Sequence, residues 1–81
     1  MSDFRLKVFL SVAKNLSFTK ASQELFVSQP AITKHIQELE TCYQARLFDR
    51  QGNKISLTEA GKLLQEHSEK ILEDYKRLEY E

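Results

Sequence analysis

Thirteen residues, Ser28-Gln-Pro-Ala-Ile-Thr-Lys-His-Ile-Gln-Glu-Leu-Glu40, constrain the fold more than any other stretch of this chain. At about 100° per residue, Ile32, Ile36, Leu39 and Tyr43 recur at spacings of four, three and four and form one apolar stripe. Pro30, Lys34, Gln37 and Thr41 fall on the opposite stripe, with Thr33 at its flank. Ser28 is a good N-cap, and Pro30 follows in the first turn, where its missing N–H costs no hydrogen bond. A segment that starts this sharply and separates its faces is a helix with one side in a core. Its other side shows amide and ammonium groups, the chemistry suited to base edges in a major groove.

Upstream, the spacing predicts a helix over 2–14, with Phe9, Val12, Ala13 and Leu16 inward and Phe4 and Val8 broadening the stripe. Asn15-Leu16-Ser17 breaks it, and Ser17 caps a second helix that begins at Phe18. Phe18, Ala21, Ser22 and Leu25 make its inner face, small in the middle so that another helix can cross closely. Phe26-Val27 then leaves only a short turn before the capped third helix. That order is a helix-turn-helix.

After Tyr43 the period changes from 3.6 to two. Leu47–Arg50 and Lys54–Leu57 alternate apolar and polar around Gln51-Gly52-Asn53, the signature of a tight hairpin. Two strands do not stand alone, so Phe48, Ile55 and Leu57 must pack back on the helices, with Arg50 and Lys54 at the hairpin's ends. A hairpin with basic ends beside such a helix is a wing. Thr58 then caps a long helix from Glu59 to about Tyr80. Along it Leu57, Gly61, Leu64, Ser68, Ile71, Tyr75 and Leu78 alternate by four and three as a coiled-coil seam, flanked by Leu63 and Leu72. A stripe this long exceeds what three short helices can cover, so a second copy of the chain is the expected partner.

Composition sets outer limits. Eighty-one residues, 41% hydrophobic and 30% charged, make one small globular domain near the lower size for a stable single core. Net charge is zero, but residues 1–58 hold eight Lys/Arg against five acids, and residues 59–81 hold four against seven. A basic surface can therefore face one side of a neutral molecule. No apolar run approaches the roughly 20 residues of a membrane span, and the start lacks a signal-peptide core. The single cysteine, Cys42, cannot form an internal disulfide, which fits a reducing cytoplasm. One Cys with no His-x₃-His pair gives no zinc site, and nothing in the chain calls for a cofactor.

Taken in order, Ser28–Glu40, then Leu47-Phe-Asp-Arg50, then Leu57-Thr-Glu-Ala-Gly61, the chain resembles the N-terminal domain of LysR-type transcriptional regulators over nearly its whole length. The resemblance implies a mainly α winged helix-turn-helix, three helices plus a two-stranded wing, over 1–58. It implies a linker helix over 59–81 that dimerises with its copy, and a ligand-sensing domain lying beyond this chain. The implied function is sequence-specific binding of double-stranded DNA to regulate transcription, not catalysis, with RNA polymerase as a further partner of a full-length regulator. The implied DNA positions are Ser28, Gln29, Pro30, Thr33, Lys34 and Gln37 on the third helix and Ser17, Phe18 and Thr19 at the second. Arg50, Asn53 and Lys54 are the implied wing positions, on the adjacent backbone or minor groove. The implied dimer seam is Leu57, Gly61, Leu64, Ser68, Ile71, Leu72, Tyr75 and Leu78. Two positions depart from the family pattern: Tyr43-Gln44 stands where Leu-Gly is usual, and Asn53-Lys54 where wing-tip arginines are common. Loss of glycine from a left-handed position costs about 1 kcal/mol.

Other readings compete residue by residue. Lys34 and Gln37 on an isolated helix would be a solvated face; capping, turn and wing together favour DNA here. Arg50 has Asp49 and Glu40 as rival ion-pair partners. His35 reads as packing, and His67 as a solvated or interface residue. Glu38 and Glu40 point about 200° apart on a helix and form no catalytic pair. A small enzyme would need a glycine-rich phosphate loop or a nucleophile with its base, and neither occurs in the sequence. A protein-interaction module that ignores DNA is the stronger rival.

Overall fold

A computed structural model describes residues 3–80. The order is α1 (Asp3–Asn15), α2 (Phe18–Leu25), α3 (Gln29–Tyr43), β1 (Phe48–Gln51), β2 (Lys54–Leu57) and α4 (Glu59–Tyr80). This is the mainly α winged helix-turn-helix with a long C-terminal helix that the periodicities predict.

Local chemistry starts each helix where expected. Ser17 Oγ accepts from the Lys20 N–H at 3.0 Å, and Ser28 Oγ accepts from the Ala31 N–H at 3.2 Å. Both are N-caps that satisfy an otherwise orphaned donor. Helix ends are less orthodox: Leu16 (φ 48°), Phe26 (φ 58°) and Gln44 (φ 53°) turn left-handed without being glycine. Each such turn costs about 1 kcal/mol. At Gln44 the N–H reaches the Glu40 and Thr41 carbonyls, so the chain makes the usual cap despite lacking the usual glycine.

Helices α1, α2 and α3 enclose one core of Val8, Phe9, Val12, Phe18, Ala21, Ile32, Ile36 and Leu39, closed by Leu47 and Phe48 from the hairpin. Three residues depart from their predicted places. Leu16 and Tyr43 are exposed, because the left-handed turns at Leu16 and Gln44 end the helical stripe at or beside them. Phe4 lies at the rim, edge-on to His35 with centroids 5.5 Å apart, and Leu6 is buried instead. His35 is thus a packing residue, as read from its place beside the core stripe.

The hairpin pairs antiparallel in the register Phe48↔Leu57, Asp49↔Ser56, Arg50↔Ile55, Gln51↔Lys54. Gly52 takes φ 61° at the first turn position, which suits a type II′ turn; Asn53 does not use a positive φ. Thr58 joins the wing to α4. Its hydroxyl donates to the Arg46 carbonyl at 2.6 Å and accepts from the Gly61 N–H at 3.0 Å, while its own N–H donates to the Leu47 carbonyl at 3.1 Å. Helix α4 passes so close to that strand that a Cβ at Gly61 would run into the Leu47 carbonyl oxygen.

This approach changes the picture of the long seam. Gly61 and Ser68 are buried within their own chain, where α4 lies on the hairpin approach and α1. Leu57, Leu64 and Leu72 are half-buried, and Leu63, Ile71, Tyr75 and Leu78 are exposed. The predicted single stripe therefore divides, because the head of the molecule takes its narrow, small-residue half.

Candidate nucleic-acid interface

The outer face of α3 carries the predicted reading residues, and the fold brings them together. Gln29, Pro30, Thr33, Lys34 and Gln37 line one shallow open concavity. None of the five is acidic, and all but Thr33 are exposed. Helix α2 braces the top of this face, since the Thr19 hydroxyl meets the Gln29 side-chain oxygen across a long 3.3 Å hydrogen bond. Ser28, the cap, is exposed just before it.

Electrostatics follows from where the acids go. Glu24 pairs with Lys14 at 2.8 Å, Glu38 with Arg5 at 3.4 Å and Glu40 with Arg46 at 3.8 Å. Glu24 also accepts from Ser11 at 2.5 Å and Asn15 at 3.3 Å. The hydrogen bond from Lys14, then that from Ser11, holds its carboxyl below the usual carboxylate range. Glu40 further accepts the Leu47 N–H at 2.8 Å. Each of these three carboxylates therefore has its own nearby cation. Among the described residues the cations without an ion pair include Lys20, Lys34, Arg50 and Lys54, as well as Lys7 and the four cations of α4. Lys20, at the start of α2, was not singled out from the sequence; a lone cation one turn after an N-cap is its only signal there.

The wing and α2 are less uniform. Asn53 and Lys54 are exposed at the hairpin tip, and Ser17 and Thr19 are accessible at the start of α2. Phe18 is buried, so its ring offers almost no surface to a duplex. Arg50 pairs with neither rival acid. Its guanidinium carbon lies 4.4 Å from the centroid of the Phe18 ring.

A second surface lies on another side. An apolar groove of about 660 Å³ runs between α1, the end of α3 and α4, with Leu6, Tyr43, Leu63, Leu64 and Ile71 among its walls and Arg5 and His67 at polar points. Cys42 also lines it.

Residues 4–62 match the family described as bacterial regulatory helix-turn-helix protein, lysR family. The chain belongs to the LysR family. Among curated relatives, a probable RuBisCO transcriptional regulator of Trieres chinensis is 46% identical over 68 residues, covering 84% of this chain and 22% of that protein. The HTH-type transcriptional regulator CitR of Bacillus subtilis is 39% identical over 74 residues, 90% of this chain and 25% of its own length. The chain thus spans about a quarter or less of these curated relatives. Among solved structures, a LysR-family regulator from Eggerthella lenta is 42% identical with a TM-score of 0.79, covering 83% of this chain and 96% of that one. The CbnR DNA-binding domain in complex with DNA is 38% identical with a TM-score of 0.89, covering 95% of this chain and 88% of that one. These relatives are transcriptional regulators, and the LysR fold is shared across nearly the whole of the described structure.

Proposed function

We propose that this chain is the DNA-binding and dimerising part of a cytoplasmic LysR-type transcriptional regulator that binds double-stranded DNA without catalysing a reaction. The observation that carries the reading is the acid-free concavity of Gln29, Pro30, Thr33, Lys34 and Gln37 on α3, in a chain that also leaves Lys20 on α2 and Arg50 and Lys54 on the hairpin without ion pairs. In a major groove, Gln29 suits an adenine edge, Pro30 a thymine methyl and Lys34 a guanine or a phosphate. Ser17, Thr19 and Lys20 suit the backbone, and the Asn53-Lys54 tip suits the backbone or minor groove beside it.

Pairing of two chains through α4 gives the reading helices two-fold symmetry. Its support is the exposed apolar set Leu63, Ile71, Tyr75 and Leu78 and the open groove beside it. The sensing of a ligand, and contact with RNA polymerase, would belong to parts of a longer regulator.

The test is a fluorescence titration with random duplex at two salt concentrations, followed by titration with a duplex selected from a random pool. Binding to random duplex should weaken steeply with salt. Gln29→Ala should lose about 1–3 kcal/mol of discrimination between selected and random duplex, whereas Lys54→Ala should weaken both alike. An unselective loss for Gln29→Ala removes it as a base reader, and a wild-type chain with no binding and no salt slope overturns the DNA reading.

A further inference from the structure

Phe18 heads α2, and Arg50 lies in β1, 32 positions later. The register sets Phe48 opposite Leu57 and Arg50 opposite Ile55, so these four side chains share one face of the hairpin. Arg50 is the charged member of an otherwise apolar face, the one whose Phe48 closes the core. Its charge is exposed to water, and no acid holds it. Glu40 is already engaged by the Leu47 N–H and by Arg46, and Asp49, next along the strand, belongs to the opposite face.

The partner is an aromatic ring. The Arg50 guanidinium stands 4.4 Å from the Phe18 centroid. Phe18 in turn meets Phe48 edge-on at 6.1 Å, and Phe48 meets Phe9 at 5.5 Å. An aromatic column thus runs from the middle of the core to an exposed cation. Phe18 is only 6% exposed, so the column fixes its ring and the ring has little freedom to yield. The Arg50 guanidinium is engaged by no acid, so its N–H groups stay free, and their fork matches two oxygens of a phosphate.

We infer that Phe18 is the positioning residue for Arg50: its buried ring holds the guanidinium beside the start of α2, so that wing and helix grip one DNA phosphate together. The inference rests on the DNA reading above and assigns Phe18 a different task from the direct contact expected of it. Arg50 touches the backbone; Phe18 acts only through Arg50.

The test uses the 81-residue chain in two stages. In the free protein, NMR should show the Arg50 δ-protons shifted upfield by the ring, and Phe18→Leu should abolish that shift. Their ordinary position in the wild-type chain overturns the inference without any reference to DNA. With random duplex across a salt series, Arg50→Ala should flatten the slope of log K against log salt by about 0.9, one phosphate contact. Phe18→Leu should weaken binding about three-fold in the wild-type background, as befits a partly exposed cation–π contact. It should have no further effect when Arg50 is already alanine. Phe18→Tyr, which keeps the π face, should restore the affinity, and melting curves report whether each variant is folded. An equal loss from Phe18→Leu in both backgrounds, or an unaltered slope for Arg50→Ala, overturns the inference while wild-type binding keeps the DNA reading intact. Absence of wild-type binding would instead remove that reading.

Discussion

Helices α3 and α4 both follow a four-three apolar repeat, and the chain treats the two repeats differently. On α3 all but the last member of the stripe are covered internally: Ile32, Ile36 and Leu39 are 0, 3 and 4% exposed, and only Tyr43 at the helix end stays open. On α4 the narrow half, with Gly61 and Ser68, is buried against the head, while Leu63, Ile71, Tyr75 and Leu78 stay 59, 42, 48 and 70% exposed. Length explains much of this. At 1.5 Å per residue, the 22 residues of α4 run about 33 Å, beyond what the short helices of the head can cover. A helix whose apolar face is covered along most of its length has its opposite face free. A helix that exceeds its domain keeps an apolar face open, which fits the proposed pairing of two chains. The same repeat thus has two outcomes, separated by what lies opposite it.

Four substitutions can break or sharpen this contrast, taken from the largest effect down. Ile32→Ala opens a cavity in the covered stripe of α3 and should cost about 4 kcal/mol in urea unfolding; a loss below 1 kcal/mol would show that α3 is not locked into the core. Gly61→Ala drives a methyl group into the Leu47 carbonyl. It should cost about 3 kcal/mol by forcing α4 off the strand, read as a lowered melting temperature. If it is neutral, the narrow half of the α4 stripe is not held by the head. Ile71→Glu acts on the other half. It should barely move the melting temperature of dilute chain, yet weaken self-association in sedimentation by at least about tenfold, or ~1.4 kcal/mol. Strong unfolding, with no change in association per folded chain, would place Ile71 in the fold rather than at an interface.

The smallest effect concerns the cluster that joins α1 to α2. Glu24 titrates below the usual carboxylate range because Lys14, then Ser11, donates to it. A carboxyl lowered on folding adds stability above its unfolded pKa and loses it as pH falls through the folded value. Wild type should therefore melt higher than Glu24→Gln at neutral pH, and the gap should close on acidification below the ordinary carboxylate range. A gap that stays constant with pH would detach the effect from titration and leave only the hydrogen-bond geometry.

Much of this architecture was legible from residue spacing. The caps at Ser17 and Ser28, the break at Leu16, the change of period after Tyr43 and the glycine of the 51–54 turn are local signals, each set by a few neighbouring residues. The shared outer face of Gln29, Pro30, Thr33, Lys34 and Gln37 was legible for the same reason, since they lie within nine positions of one helix. What escaped was non-local. Nothing near Arg50 in the sequence points to Phe18, because register and helix docking bring the two together. At Gln44 the left-handed turn was expected only from the family pattern, which has glycine there; no neighbouring residue announces it. The exposure of Tyr43 depends on where α3 happens to stop, and that is decided by the cap that Gln44 completes.

By itself, then, the sequence determined which segments are helices, where they begin, which face of α3 is apolar, and that a basic wing follows. These are properties of spacing and of backbone preference, and they need no distant neighbour. Tertiary structure alone decided that Glu24, Glu38 and Glu40 are each matched by a nearby cation, that Arg50 stands on an aromatic column, and that half of the α4 stripe remains uncovered. The physical reason is common to all three: pairing charges and covering apolar surface are contests between partners, and only the fold decides which partners meet.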